Sequence, residues 1–305
     1  NCYENNKAKA HVKECLAICE QYNDRKGIAY CFKIKGNIAQ QQNDYKKTKV
    51  YFKKSFEFYE KIGSLSGMAH ARYNLGSHAE GLEDYQNAVD HLEKALEYYQ
   101  EIQFKRAVAG CLKQLGFLYK KMGNYTKAKQ FLYEGLTVTH RAGSQAHRAE
   151  ILHLLAIVEN VTGHLDQAEE LTQQALAIVN NTGSQWALAW LLHHLGEIKF
   201  HQGLPLQAQK YAHESLTLFT NLDVPSGVAY CFECLGQISQ STGDYEQAKI
   251  YFQKSLAIRK TIQLRIGITT SLIHLGSLAF DTHQINEAKT NLIEALNLGL
   301  EAKFI

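Results

Sequence analysis

Residues 105–144 read KRAVAGCLKQLGFLYKKMGNYTKAKQFLYEGLTVTHRAGS, and this stretch decides the fold. Its key positions are Gly116, Ala128, Gly135 and Leu136. A residue of similar size recurs at each of these positions every 40 residues along the chain, and we call each such set of equivalent residues a column. One column holds only small residues: Gly36, Gly76, Gly116, Ala156, Gly196, Gly236 and Gly276. Four columns that keep one unbroken period predict a chain built from repeated structural units.

Each period is predicted to form a helix, a short turn and a second helix. Glycines at positions 123, 163, 203 and 243 follow the first helix, where a residue with a positive φ commonly ends a helix. An Asp or Asn before Tyr then begins the second helix, as at Asn124, because its side chain can accept from free backbone N–H groups. Small residues let the two helices approach, and large residues beside them fill the remaining space.

These landmarks resemble the tetratricopeptide repeat family. The resemblance rests on Leu115-Gly116, Tyr125, Ala128 and Leu136 and on the equivalent positions along the whole chain. It implies an all-α fold, a right-handed superhelical solenoid of about 15 helices in hairpins. The period exceeds the family's usual length of about 34 residues. Repeats of this length are similar to those in the sensor regions of bacterial signal-transduction NTPases and in adaptor proteins.

We expect residues 1–305 to form one solenoid. A half repeat at 1–26 precedes seven repeats at 27–66, 67–106, 107–146, 147–186, 187–226, 227–266 and 267–305. Solenoid ends need polar caps to stay soluble, and neither end shows one. We therefore expect a fragment of a longer protein, with an effector domain in the same full-length chain.

Composition excludes several classes of partner. The net charge is only +3, so no broad electrostatic attraction to nucleic acid or to an anionic membrane is expected. No apolar run is long enough to span a bilayer. The seven cysteines are odd in number and irregular in spacing, which indicates free thiols in a reducing compartment. We expect a cytoplasmic protein.

The resemblance implies that a partner binds in a concave groove formed by the first helices of the repeats. Family positions carried onto this sequence give the candidate partner-binding residues Tyr30, Lys33, Asn37, Tyr73, Asn74, Lys113, Phe117, Lys120, Lys121, His153, Trp190, His193, Glu197, Phe200, His201, Tyr230 and Glu233. The N-terminal half of this set is basic, whereas the fifth and sixth repeats are rich in aromatic residues, His and Glu.

Aromatic residues with polar tips are typical of binding surfaces, since they give large contact areas at low entropic cost. The pattern therefore predicts a protein or extended peptide partner that carries acidic and apolar side chains. Two alternatives stay open. One is that the positions are only solvated helix faces, and the other is that the module receives a small ligand or a signalling peptide.

A carboxylate clamp is a sharper possibility that the resemblance raises. Lys33, Asn37 and Asn74 match three of the five positions with which chaperone-binding members hold a C-terminal carboxylate. Gly110 and Gln114 occupy the positions of the last Lys and Arg, so the bidentate contact that arginine makes is missing.

A metal-dependent enzyme is a further alternative, because His193, Glu197 and His201 are spaced four apart on one predicted helix. The Cys231 and Cys234 pair fits core packing better than a zinc finger, since no second pair completes it. No phosphate-binding, dinucleotide-binding or serine-nucleophile motif is present in the sequence. We therefore expect a binding protein rather than an enzyme, with no cofactor and no metal ion.

Overall fold

A computed structural model describes residues 2–301, and that part of the chain is formed by α-helices joined by short turns. The helices are α1 (Cys2–Gln21), α2 (Arg25–Gln41), α3 (Tyr45–Lys61), α4 (Leu65–Gly81), α5 (Tyr85–Glu101), α6 (Lys105–Lys121), α7 (Tyr125–Ala142), α8 (Gln145–Val161), α9 (Leu165–Thr182), α10 (Gln185–His201), α11 (Pro205–Asn221), α12 (Pro225–Ser241), α13 (Tyr245–Thr261), α14 (Arg265–Asp281) and α15 (Ile285–Glu301). The predicted all-α fold of helical hairpins with about 15 helices is confirmed.

Helix length explains the period. Helices α2, α3 and α4 have 17 residues each, and three residues separate α2 from α3 and α3 from α4. A helix and its turn, taken twice, therefore span 40 residues. The middle of each turn has a positive φ, for example 74° at Gly123 and 83° at Gly243, which confirms the predicted helix ends.

The predicted N-caps are also present. The side chain of Asn124 accepts from the backbone N–H of Lys127 at 3.1 Å, and Asp244 does the same for Gln247. Helix α11 begins without such a side-chain bond, but Pro205 occupies its first turn. A backbone N–H at that position would have no acceptor within the helix, so its absence in proline does not destabilise the helix. Local backbone chemistry thus sets where these three helices begin.

The small-residue column brings the two helices of a hairpin together. A Cβ placed on Gly116 of α6 would lie 2.5 Å from Leu132 Cγ of α7, and one on Gly276 of α14 would lie 2.7 Å from Leu292 Cγ of α15. The column of small residues on the second helix of the hairpin, to which Ala128 belongs, is buried at the same contact. The large residue of one helix therefore fills the space that the glycine of the other leaves open.

The helices group into two compact units, Asn1–Val158 and Glu159–Ile305, whose limit falls within α8. In each unit, helices of the even-numbered series lie beside one another. Lys113 of α6 reaches Glu150 of α8 in the first unit, and Gln240 of α12 reaches Asp281 of α14 in the second. The predicted repeat limits, with a half repeat at the start, stay a prediction.

Among the described residues, every helix is too short or too polar to cross a lipid bilayer.

Two glycines of α6 give a matched test of this packing. Gly116→Ala should lower the free energy of unfolding by about 1–3 kcal/mol, because the added methyl group collides with Leu132. Gly110→Ala should raise it by about 0.5–1 kcal/mol, because the space there is open and alanine favours helix. Urea denaturation followed by circular dichroism measures both, and equal effects of the two substitutions would contradict the packing account.

Candidate functional site

The candidate residues lie on the even-numbered helices α2 to α12. The surface formed by the even-numbered helices, α14 included, is what we call the first-helix face, and it is described separately within each unit. All the predicted partner-binding residues except His193 are at least partly exposed there. In the second unit, α10 contacts α12 and α12 contacts α14. Side chains on these three helices therefore reach one another across the face.

Rings from α10, α11 and α12 form what we call the aromatic cluster, made of Trp190, His193, His194, Phe219 and Tyr230. The Trp190 ring centroid lies 4.9 Å from that of Phe219 and 5.6 Å from that of Tyr230, both in edge-to-face geometry. The His194 ring stacks against Trp190 at 6.1 Å. These contacts hold Trp190 half-buried, with its Nε1–H buried and without an acceptor among the described residues.

His193 lies beneath this cluster rather than on the surface. Only 2% of the residue is exposed, because Trp190 and Tyr230 cover it, so a direct contact between His193 and a partner is a wrong prediction. Burial lowers the pKa of His193 to about 4, against the opposing effect of the Glu197 carboxylate. The imidazole is therefore neutral at neutral pH.

Glu197 joins the two histidines of α10. Its Oε1 lies 3.5 Å from His193 Nε2, and its Oε2 lies 2.7 Å from His194 Nδ1. Partial burial would raise the pKa of the Glu197 carboxyl, but His193 and His194 outweigh that effect and hold it below its ordinary value. Glu197 is thus ionised, and about a third of its side chain is exposed beside the aromatic cluster.

A buried arginine forms a second feature, which we call the arginine network. Arg259 of α13 is 1% exposed and donates from Nη1 to the Gly267 carbonyl at 3.0 Å and to Ser271 Oγ at 2.9 Å. Its Nη2 pairs with Glu233 of α12, whose other oxygen lies 2.9 Å from His274 Nε2 of α14. Arg259 also lies over the Tyr230 ring, 5.0 Å from its centroid. The network therefore adjoins the aromatic cluster.

The charge of Glu233 follows from this arrangement. Burial would raise the pKa of its carboxyl, but the hydrogen bond with His274 and the charge of Arg259 outweigh that effect and lower the pKa. Both carboxylate oxygens of Glu233 are therefore bonded, one to Arg259 and the other to His274. These bonds link α12 to α13 and to α14.

In the first unit, the predicted basic surface is weaker than the sequence indicates. Lys113 Nζ lies 2.5 Å from Glu150 Oε2, so an acidic residue of the next first helix neutralises its charge. Lys33 lies over the Tyr30 ring, 4.3 Å from its centroid. Lys120 and Lys121 both lie over the Phe117 ring, at 5.2 and 5.5 Å. Aromatic rings therefore position the remaining lysines of this set.

The structure argues against the carboxylate clamp. Gln114 occupies the position of a clamp cation, and its Nε2 instead donates to the Glu80 carboxylate. Burial raises the pKa of Glu80 above its ordinary value, although Gln114 acts in the opposite direction. A carboxylate at this place would repel the C-terminal carboxylate that the clamp motif holds.

The three residues predicted to share a metal do not all meet. His201 Nδ1 lies 2.8 Å from Asn160 Oδ1 of α8, whereas His194 takes the place beside Glu197. Sequence analysis missed His194 because only residues four apart were considered to share a face. Two groups of described residues have donor atoms within 4.8 Å of one another: His193 with His194 and Glu197, and Cys15 with Cys19 and Cys31.

Sequence analysis also missed Arg259 and His274, the two residues that bind Glu233. Arg259 stands in a column that holds Tyr59, Tyr99 and Phe219 in other repeats, and these residues are buried. A charged residue in a buried column requires a counter-charge, which is the signal that could have revealed the network. The other predicted residues on the face, Asn37, Tyr73, Asn74, His153 and Phe200, are partly or fully exposed.

The sequence matches the family model described as tetratricopeptide repeat at residues 30–101, 65–138, 106–181 and 187–261. No curated protein matches the chain significantly.

Several solved structures share the fold. The apo form of RapI is 11% identical and superposes with a TM-score of 0.78, over 91% of this chain and 99% of that one. The Rap conjugation gene regulator of plasmid pLS20, in complex with the Phr* peptide, is 16% identical with a TM-score of 0.71, over 93% and 77%. A signal transduction ATPase with numerous domains and a tetratricopeptide repeat sensor, from Pyrococcus horikoshii, is 16% identical with a TM-score of 0.64, over 90% and 40%.

The arginine network gives a test by substitution. Glu233→Gln should destabilise the second unit by about 3 kcal/mol, because it leaves the buried charge of Arg259 without its counter-charge. Adding Arg259→Phe should restore most of the loss, since Phe219 fills the equivalent position of the preceding repeat. Thermal unfolding measures both variants, with the exposed Glu246→Gln as the control. A double variant no more stable than Glu233→Gln would refute the pairing.

Proposed function

Because the chain belongs to the tetratricopeptide repeat family, we propose that it binds a protein or an extended peptide on its first-helix face and acts by binding rather than by catalysis. Repeat proteins of this type present extended surfaces formed by equivalent helices. The face of this chain carries rings and charges on successive first helices, which is the arrangement that an extended partner needs.

The aromatic cluster is the observation that carries the proposal. Trp190 is half-buried and Tyr230 is 37% exposed, and both rings are fixed by their neighbours. Fixed aromatic rings contribute contact area without losing side-chain entropy on binding, and they are enriched among residues that dominate binding energy.

The chemistry of the face indicates the side chains of the partner. At the aromatic cluster, an apolar side chain of the partner would pack on Trp190 and Tyr230. Beside them the ionised Glu197 would accept from peptide N–H groups. In the first unit, Lys33 and Lys121 lie on aromatic rings and would pair with acidic side chains of a partner bound there.

A receptor for a short signalling peptide is the form of this proposal that the structural comparisons favour. Two similar structures are described as complexes with peptides, one with the Phr* peptide and one with competence and sporulation factor. A further similar structure is a tetratricopeptide repeat sensor within an ATPase. We propose that this chain serves as such a sensor or adaptor within a larger cytoplasmic signalling protein.

Selection from a random peptide library tests the proposal without a known partner. Peptides that bind the complete chain should be enriched in apolar side chains, and Trp190→Ala should weaken their binding at least tenfold, about 1.4 kcal/mol, as measured by fluorescence anisotropy. The loss follows from removing the centre of the aromatic cluster.

Tyr22→Ala is the matched control, because Tyr22 is 75% exposed, lies in the turn between α1 and α2 and is not part of the cluster. It should leave peptide binding unchanged. Equal binding by wild type and Trp190→Ala would refute the site, and a library that yields no binding peptide would refute peptide recognition itself.

A further inference from the structure

Three cysteines meet where α1 packs against α2. Cys15 and Cys19 lie one turn apart on α1, and Cys31 lies on α2. Their Sγ atoms all lie within 4.8 Å of one another, and the thiols hydrogen-bond among themselves. The group ranges from the exposed Cys15 to the buried Cys31, so solvent reaches one side of it.

A carboxylate lies beside the group, next to Cys19. Asp24 caps α2 through Oδ1, which accepts from the Gly27 N–H at 2.9 Å, and its Oδ2 is left for another contact. A Cβ on Gly27 would collide with Asp24 Oδ2 and would lie 2.5 Å from Cys19 Sγ. The carboxylate oxygen and the sulfur therefore both lie over Gly27, and this glycine keeps the space between them open.

Two of the three cysteine positions meet at other contacts between repeats, so the fold sets this part of the geometry. Ser215 of the fifth repeat and Cys231 of the sixth are equivalent to Cys15 and Cys31, and their Oγ and Sγ atoms lie 3.3 Å apart. One repeat later they are Ser255 and Ser271, also 3.3 Å apart. The α1–α2 contact is the one that has a thiol at all three positions.

We propose that Cys15, Cys19, Cys31 and Asp24 form a tetrahedral site for a thiophilic d¹⁰ cation, of which zinc is the representative. Thiolates with a nitrogen or oxygen donor are the ligand class that zinc prefers, and bonds of about 2.3 Å to sulfur place the sulfur atoms about 3.8 Å apart. Side-chain rotation brings the three sulfur atoms, already within 4.8 Å of one another, to that separation, and rotation of Asp24 carries its Oδ2 from beside Cys19 to the fourth position. On binding, each thiol releases its proton to solvent.

Zinc at this place would cross-link α1 to α2. Helix α1 contacts α2 as its neighbour, chiefly through Leu16 and the cysteines against Ile28 and Phe32. A metal bond between the helices would add to this limited apolar contact. Removing zinc should therefore lower the unfolding temperature of the complete chain.

Cobalt substitution tests the site through the cysteines themselves. The complete chain, reduced and stripped of metal, should bind one Co²⁺ with a thiolate-to-cobalt charge-transfer band, and Zn²⁺ should displace it. Cys31→Ser should weaken Co²⁺ binding at least about 100-fold, because it removes a ligand. Loss of a residue that only hydrogen-bonds to a ligand already lowers metal affinity about 10–100-fold. Asp24→Asn should weaken it by about tenfold, while the Asn side chain still caps α2.

Cys234→Ser is the matched control, because Cys234 is a buried cysteine in α12 outside this group. It should bind Co²⁺ as the wild type does. Circular dichroism of each variant shows whether the helices persist. The absence of a charge-transfer band in the wild type would overturn the proposal, as would an unchanged band in a folded Cys31→Ser variant. Either result leaves the proposed peptide site on α10 and α12 untouched.

Discussion

The close approach of the two helices in each hairpin is the constraint on which the rest of the structure depends. Gly116 against Leu132 and Gly276 against Leu292 are two instances of one contact, in which a missing side chain receives a large one. Each such contact fixes the distance and the rotation of one helix relative to the other. Because the column of small residues recurs every 40 residues, the first helices of each unit present equivalent faces, and the candidate binding residues occupy equivalent places on them.

Sequence alone predicted most of the fold because backbone chemistry and packing columns are local or periodic. Asn124 and Asp244 cap their helices as expected, and Gly123 and Gly243 end them. The sequence did not predict that residues such as Glu83 adopt a positive φ, at 60°, in equivalent turns. Tertiary packing imposes this turn whether or not a glycine is present. A residue with a Cβ in this left-handed conformation lowers the free energy of unfolding by about 1 kcal/mol relative to glycine.

The site was less predictable, because its chemistry depends on partners 30–40 residues away in sequence. The pairs Lys113–Glu150 and Gln114–Glu80 change what each residue can do, and neither follows from the spacing within a helix. Periodicity places residues on the first-helix face, so these positions can be inferred from the sequence. The charge and accessibility of the side chains cannot, because they depend on which side chains of the next helix contact them.

Through the aromatic cluster and the arginine network, the proposed binding would be connected with the stability of the second unit. Tyr230 contacts Trp190 on one side and Arg259 on the other, so the ring that a partner would touch also covers a buried charge. A partner that packs on Tyr230 would further exclude water from Arg259 and Glu233, which strengthens their attraction. Binding there would therefore favour the packed arrangement of α10, α12 and α13.

Intrinsic fluorescence tests the central claim most directly, because the chain has only two tryptophans, Trp186 and Trp190, and both lie on α10. Their rings are 6.2 Å apart, so the whole tryptophan emission comes from this place. Titration with a peptide selected for binding should shift that emission along a saturating curve, with the dissociation constant found by anisotropy. Saturable binding of the peptide without any change in tryptophan emission would contradict the account.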